Sequence, residues 1–409
     1  MSTVDETRET TADRLRRLGE PRSVAIAGIC LGVLGLFLSL PPITIRNVVV
    51  PAAVGVLGAA LGLWALTRGQ RKLGIWAILA SLLAVLGALW LQSESAGELE
   101  SVFSVGLLAA TLRFATPLAF AAMGGIFSER SGVVNIGLEG MILAGAFFGI
   151  MVAAETGQWE LGIIGAMGAG AALASIHAFL CIHLQADQII SGFAINFLAL
   201  GLTGYLFRSV YGTGGTPELP ERIPDVRLPF IEDITFIGDI FGSMNLMIWL
   251  MLFTVFLSWV VLFKTPIGLR IRACGEHPRA ADTVGISVFK IRYAAVITSG
   301  VLAGLGGAYL SFGFGGTFNE NMSAGRGFIA LAAVIFGNWR PFGAFGACLL
   351  FGFSTALAIR LQGSPLLPSD LASANLLQTL PYILTLVALV GVIGRSRPPA
   401  AAGRPYVKQ

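Results

Sequence analysis

The stretch GGIFSERSGVVNIGLEGMILAGAFFG, Gly124 to Gly149, sets Glu129, Arg130, Asn135 and Glu139 between two apolar runs. Ionisable groups are expensive at membrane depth, so they normally face a bundle interior or a water-filled path, where they can bind a polar solute. The step Asn135-Ile136-Gly137 predicts a broken helix start, a device by which transporters expose backbone groups to a substrate. A structural reading competes, in which Glu129 and Arg130 sit in the headgroup region and Glu139 caps or pairs. Arg113 is the deepest unmatched cation; it reads either as a pathway residue partnering Glu139 or as a side chain snorkelling to the outer interface. Asn196, within QIISGFAINFLALGLTGY, either touches substrate or hydrogen-bonds between helices. In GFGGTFNENMSAGR, Gly313 to Arg326, the residues Phe314, Phe318, Asn319 and Asn321 combine aromatic faces with amides. Such a set could stack on and hydrogen-bond a planar polar ligand, though the rings would serve equally as interfacial anchors.

Catalytic chemistry is not indicated. His177 and His183 stand six positions apart rather than four, and no H-E-x-x-H, G-x-S-x-G or paired-carboxylate pattern occurs, so no catalytic and no metal-binding residues are assigned. The phosphate-cradling pattern G-x-x-x-x-G-K-S/T is also missing. No cofactor is expected on this chain, and ATP-driven work would come from another subunit.

The elements that must position these residues are helices in a bilayer. Of 409 residues, 55% are hydrophobic and only 12% charged, against about 25% charged in soluble domains. The expectation is an all-α, polytopic helical membrane protein of about 12 transmembrane segments, with a nine-segment core behind a three-segment N-terminal extension. The extension, residues 23–100, contains the apolar runs 23–40, 47–66 and 73–91. The core, residues 101–394, contains 102–127, 133–154, 161–184, 189–207, 244–263, 293–312, 327–337, 343–361 and 375–393. Run 327–337 is short for a crossing and reads alternatively as a broken or re-entrant element. Arg14, Arg16, Arg17 and Arg22 precede the first run, and Arg68, Arg71 and Lys72 separate the second from the third. Positive charge marks the cytoplasm, so residues 1–22 and 395–409 are expected as cytoplasmic tails, the first of them no signal peptide. The Pro/Gly-rich segment 208–244 is expected as an outer loop. Gly28/Gly32, Gly58/Gly62 and Gly300/Gly304 are spaced to let helix backbones approach.

The longest polar interruption on the inner side is Lys264 to Arg292, KTPIGLRIRACGEHPRAADTVGISVFKIR, with six Lys/Arg against two Asp/Glu. An Arg or Lys at mid-bilayer costs about 3 kcal/mol or more, so this segment is a loop, and its basic excess agrees with the span count in placing it in the cytoplasm. From Arg272 to Ile286 it reads R-A-x-G-x-x-P-x-A-A-x-x-x-G-I, more ordered than a connection requires. It is expected to dock something.

Together, SERSGVVNIGLEGMILAGAF, QIISGFAINFLALGLTGY, TPIGLRIRACGEHPRAADTVGI and ENMSAGRGFIALAAVIFGNW resemble permease subunits of bacterial ABC importers of the ribose, branched-chain amino acid and nucleoside type. They look like the nucleoside or simple-sugar branch in particular. The likeness covers residues 101–393; the N-terminal block stands outside it. It implies a transport subunit that is no enzyme itself and that imports nucleosides by alternating access across the bacterial cytoplasmic membrane, with both termini inside. Implied partners are a second homologous permease, an ABC ATPase and an extracytoplasmic substrate-binding lipoprotein, with membrane lipid around them and no nucleic acid. Carried onto this chain, ATPase coupling falls to Arg272, Gly275, Glu276, Pro278, Ala280, Ala281, Asp282 and Gly285. Import of a simple sugar or a branched-chain amino acid is the alternative. An ion-coupled secondary transporter would usually carry its long inner loop after span six, where Gln185 to Gln188 is very short.

Overall fold

A computed structural model describes residues 21–39, 49–90, 102–212, 216, 223–227, 237–362, 377, 379, 383 and 396–408. Helix dominates them, as it must where no water can satisfy backbone N–H and C=O groups. Two compact units are present, residues 1–107 with 360–373 and residues 108–359 with 374–409.

In the smaller unit, α1 (Pro21–Ser39), α2 (Val49–Thr67) and α3 (Arg71–Trp90) pack on one another. They meet at glycine: a Cβ on Gly28 would stand 3.0 Å from the Gly58 carbonyl oxygen, and one on Gly58 would stand 2.6 Å from Ser81 Oγ. The expected Gly28 and Gly58 therefore lie where backbones touch.

The larger unit holds most of α4 (Val105–Arg130), then α5 (Leu138–Thr156), α6 (Trp159–Ala178, extended by a π turn to His183) and α7 (Gln188–Tyr211). After α8 (Ile237–Phe241) come α9 (Leu246–Lys264), α10 (Pro266–Glu276), α11 (Pro278–Thr283) and α12 (Val288–Ala308, extended by a π turn to Gly315). The series closes with α13 (Arg326–Phe336) and most of α14 (Pro341–Leu361). Among the described residues nine helices are long and apolar enough to cross a bilayer: α2 to α7, α9, α12 and α14. The chain is a multi-pass membrane protein. Apart from residues 377, 379 and 383, the expected crossing 375–393 lies outside the described residues, as does nearly all of the expected N-terminal tail. At the centre, α12 packs on α5 and α6. A Cβ on Gly300 would collide with the Gly170 carbonyl, and one on Gly145 would stand 2.6 Å from Gly304 Cα, so these contacts are backbone on backbone.

The run 327–337 is a broken element. Its helix α13 has 11 residues, about 16 Å at 1.5 Å per residue, half of what the hydrocarbon core requires. Residues 316–325 lead to it from the end of α12 without helix. The loop 208–244 adds something the all-helical reading did not anticipate, a short antiparallel ladder of β1 (Asp225–Arg227) on β2 (Ser243–Asn245). Asn245 then caps α9, accepting from the Met247 N–H at 2.9 Å, which sets the start of that helix.

The basic loop is two short helices. Thr265 Oγ1 accepts from the Gly268 N–H at 3.2 Å, and Pro266 and Pro278 stand at the starts of α10 and α11. A proline there gives up an N–H that has no helical partner anyway. Gly285, at φ +83°, turns the chain into α12 with a conformation side chains disfavour.

Candidate functional site

Between α4 and α5 the backbone leaves the helix at residues 131–137, and side chains from three other helices stitch its polar groups. The Val134 N–H donates to Gln188 Oε1 at 2.7 Å, and the Val134 carbonyl is 3.1 Å from His177 Nε2, whose Nδ1 is 2.8 Å from Ser191 Oγ. Asn196 bridges the break: its Nδ2 donates to the Ile136 carbonyl at 3.0 Å, and its Oδ1 accepts from the Gly140 N–H at 2.8 Å. Non-helical backbone at membrane depth survives only when paired in this way. Asn135 is fully buried, and its Nδ2 donates to Ser299 Oγ on α12 at 3.0 Å. Its Oδ1 finds no partner among the described residues.

Glu139, in the first turn of α5, is nearly buried and both its oxygens are engaged. They accept the N–H groups of Gly325 and Gly327 at 2.7 and 2.6 Å. A helix start carries free donors and partial positive charge, which a carboxylate satisfies best. Gly327 is required there, since a Cβ would collide with the Glu139 backbone nitrogen. The other end of α13 is held by α4. Trp339 Nε1 donates to the buried Glu129 carboxylate, and Arg130 Nε donates to the Trp339 carbonyl at 3.1 Å. Arg130 also faces Glu276 of α10 at 3.8 Å. So α13 is gripped at both ends, and one grip reaches the basic loop.

The segment before α13 contributes rings more than amides. Phe318 is buried, edge-on to Phe147 with centroids 5.1 Å apart and 5.4 Å from Phe207. Its N–H donates to Thr216 Oγ1 at 3.0 Å. Phe314 is half exposed and meets Phe114 edge-on at 5.6 Å. Asn319 and Asn321 are exposed. Between them Glu320 makes a two-pronged pair with Arg208 on α7, both bonds 2.8 Å, and that hydrogen bond holds its carboxyl below the usual range. Arg113 is exposed on α4 beside Phe114. The structure thus brings Asn135, Glu139 and Asn196 to the broken start of α5, with Glu139 bonded to the start of α13, packs Phe318 against Phe147 and Phe207, sets Phe314 on Phe114, and leaves Arg113, Asn319 and Asn321 at the surface.

The eight expected coupling positions divide similarly. Glu276, Ala280 and Gly285 are exposed, Pro278 and Asp282 half-buried. Arg272 lies over the Phe263 ring at 5.0 Å. Gly275 is buried so tightly that a Cβ would collide with the Arg130 carbonyl. Ala281 is only 3% exposed and packs with Cys274, Val288 and Tyr406. Burial pushes the Cys274 thiol up to about 11, against a smaller opposing pull from Arg292, so it stays protonated at neutral pH. Sequence reasoning missed Ser299, Gln188, Trp339 and Arg292. Arg292 is 2% exposed; among the described residues its hydrogen bonds go to carbonyls, the Nε donating to that of Ser131 and the Nη1 to that of Arg404, each at 3.1 Å. The only sequence signal for these residues was polarity inside or beside apolar runs. Among the described residues no group of three or more His, Cys, Asp or Glu could hold a metal.

Comparison with known proteins bears on what this arrangement serves. The family model described as "Branched-chain amino acid transport system / permease component" matches residues 107–390. The guanosine ABC transporter permease protein NupQ of Bacillus subtilis is 46% identical over 310 residues, 74% of this chain and 96% of that protein. The nucleoside ABC transporter permease protein NupC of Lactococcus lactis is 40% identical over 74% of this chain and 96% of its own length. A putative glucose ABC transporter permease protein of Haloferax volcanii, TsgC13, is 38% identical over 70% and 91%. No solved structure matches.

Proposed function

Because the chain belongs to the permease family of branched-chain amino acid transport systems, we propose that it is the membrane subunit of an ATP-binding-cassette importer for nucleosides. A separate ATPase drives it, a second homologous permease completes the path, and an extracytoplasmic binding lipoprotein delivers the substrate. The chain binds no cofactor itself. Its termini and the segment 264–292 face the cytoplasm, in keeping with their Arg and Lys residues.

The observation that carries the mechanism is the double grip on α13. ATPase closure displaces α10, whose Glu276 faces Arg130. Arg130 holds the turn after α13 through the Trp339 carbonyl, and α13 meets Glu139 at its other end. A rigid 11-residue helix transmits that displacement through Glu139 to the start of α5, beside Asn135 and Asn196, where the broken backbone can open a path. Hydrolysis resets it. The relatives named for guanosine and nucleoside transport support a nucleoside as the ligand, and half-exposed Phe314, edge-on to Phe114, offers a planar ligand a ring face.

The test is uptake of labelled guanosine by cells carrying the complete importer, with glucose and leucine as competitors. Guanosine uptake that unlabelled nucleosides suppress and the other two do not supports the reading. Glucose accumulation in place of guanosine would move the protein to the sugar branch.

A further inference from the structure

The C-terminal segment is built into the face that α10 and α11 present. The Ala401 N–H donates to the Gly275 carbonyl at 2.8 Å, and the Ala400 N–H to Glu276 Oε2 at 3.2 Å. Arg292 Nη1 holds the Arg404 carbonyl. Tyr406 is 7% exposed, packed on Cys274, Ala281 and Val288, with its ring 5.7 Å from Phe289. Farther back, Ser396 Oγ donates to the Ile335 carbonyl and the Arg397 N–H to Asn338 Oδ1. Between this segment and the α10–α11 corner lies a cavity of about 580 Å³, open to the surface.

Resting on the reading of α10 and α11 as the ATPase contact, we infer that residues 399–407 form the second wall of that socket, and that the socket takes an acidic, partly apolar segment of the ATPase. The charge pattern carries this. Arg279 stands exposed on one wall and Arg404 on the other. The carboxylate between them, Glu276, is already occupied by the Ala400 N–H and Arg130. The rim therefore offers two guanidinium groups against one carboxylate that already has partners within the chain, over an apolar floor of Ala280, Pro405 and Val407, the last 56% exposed. A carboxylate with a neighbouring apolar side chain matches both features. The cavity continues the exposed face of α11, and no P-loop occurs in this chain, so the ATPase is the occupant this face has to meet.

The experiment uses the importer co-expressed with its ATPase. Arg404→Glu reverses the charge of an exposed side chain while keeping the carbonyl that Arg292 uses. ATPase recovered with the permease should fall by about tenfold, a loss of about 1.4 kcal/mol, with the permease level in the membrane unchanged. A photo-crosslinking residue at Val407 should capture the ATPase, and the same residue at exposed Phe314 should not. If Ala280→Glu releases the ATPase while Arg404→Glu retains it and position 407 captures nothing, the second wall is refuted and the α10–α11 contact stands. If neither substitution releases the ATPase, both readings fall. Capture of a second copy of the chain, or of lipid alone, at position 407 also overturns the proposal. Should Arg404→Glu lower the membrane level, the crosslink in the otherwise unchanged chain decides.

Discussion

The carboxylate of Glu139 accepts the backbone N–H of Gly327 at 2.6 Å, so the first turn of α5 grips the first turn of α13. Charge-assisted bonds of this kind contribute about 1.5–3 kcal/mol each. Glu139→Ala removes two of them and should lower the unfolding temperature of the detergent-solubilised protein by several degrees as well as abolish uptake. Glu139→Gln keeps an acceptor without the charge and should fall between. An unchanged unfolding temperature in Glu139→Ala would show that α13 does not depend on this cap.

Asn196 uses its amide in both senses, donating to Ile136 and accepting from Gly140. In Asn196→Asp the donor becomes a carboxylate oxygen facing a carbonyl, which leaves the part-buried Ile136 acceptor unpaired at a cost of about 1 kcal/mol. Uptake should drop more than in Asn196→Gln, which keeps both functions on a longer arm. Equal losses in the two variants, at equal protein level, would argue against the bridge.

Neighbouring alanines on α11 should behave differently. Ala280 is exposed and Ala281 is core. Ala280→Glu should leave thermal stability within about 0.5 kcal/mol, as surface changes do, while ATPase recovery falls. Ala281→Arg buries an unpaired charge and should destabilise the inner face itself, read as loss of protein from the membrane.

Arg292 ties the turn after α4 to the C-terminal segment through two carbonyls. Arg292→Met leaves those acceptors unpaired and should release the segment, so chymotrypsin should cut after Tyr406, 7% exposed in the folded chain, at least several times faster than in the unaltered protein. Arg292→Lys retains the charge but cannot span both carbonyls, and should be intermediate. Equal cleavage rates in all three proteins would mean that the segment is held by Tyr406 alone.

The pair Arg130–Glu276, at 3.8 Å with Glu276 46% exposed, should add less than about 1 kcal/mol to stability. Glu276→Gln should therefore leave the unfolding temperature nearly unchanged while lowering the uptake achieved per ATP hydrolysed. If that ratio is unaffected, force reaches α13 by another route.

The crossing helices were readable because hydrophobic length is set by the bilayer, and α4 to α7, α9 and α12 fall within a few residues of the apolar runs. The break at 131–137 was readable from Asn135 and Gly137. Its stitching was not, because Asn135 meets Ser299 and Val134 meets Gln188 across separations that only the folded bundle defines. Ala281 carried the same docking expectation as Ala280 since its sequence context is identical; burial alone separates them. The C-terminal segment read as a tail because it is held mainly by backbone groups and by one tyrosine, and backbone hydrogen bonds leave no trace in residue type.

Where α6 and α12 cross, Gly170 meets Gly300 with no side chain between them. A joint of bare backbone has no rotamers to repack and no knob to lift from its hole. The spacing of α6 and α12 is therefore set by the backbones themselves, and any residue larger than glycine at position 170 or 300 would act as a wedge that drives the two helices apart.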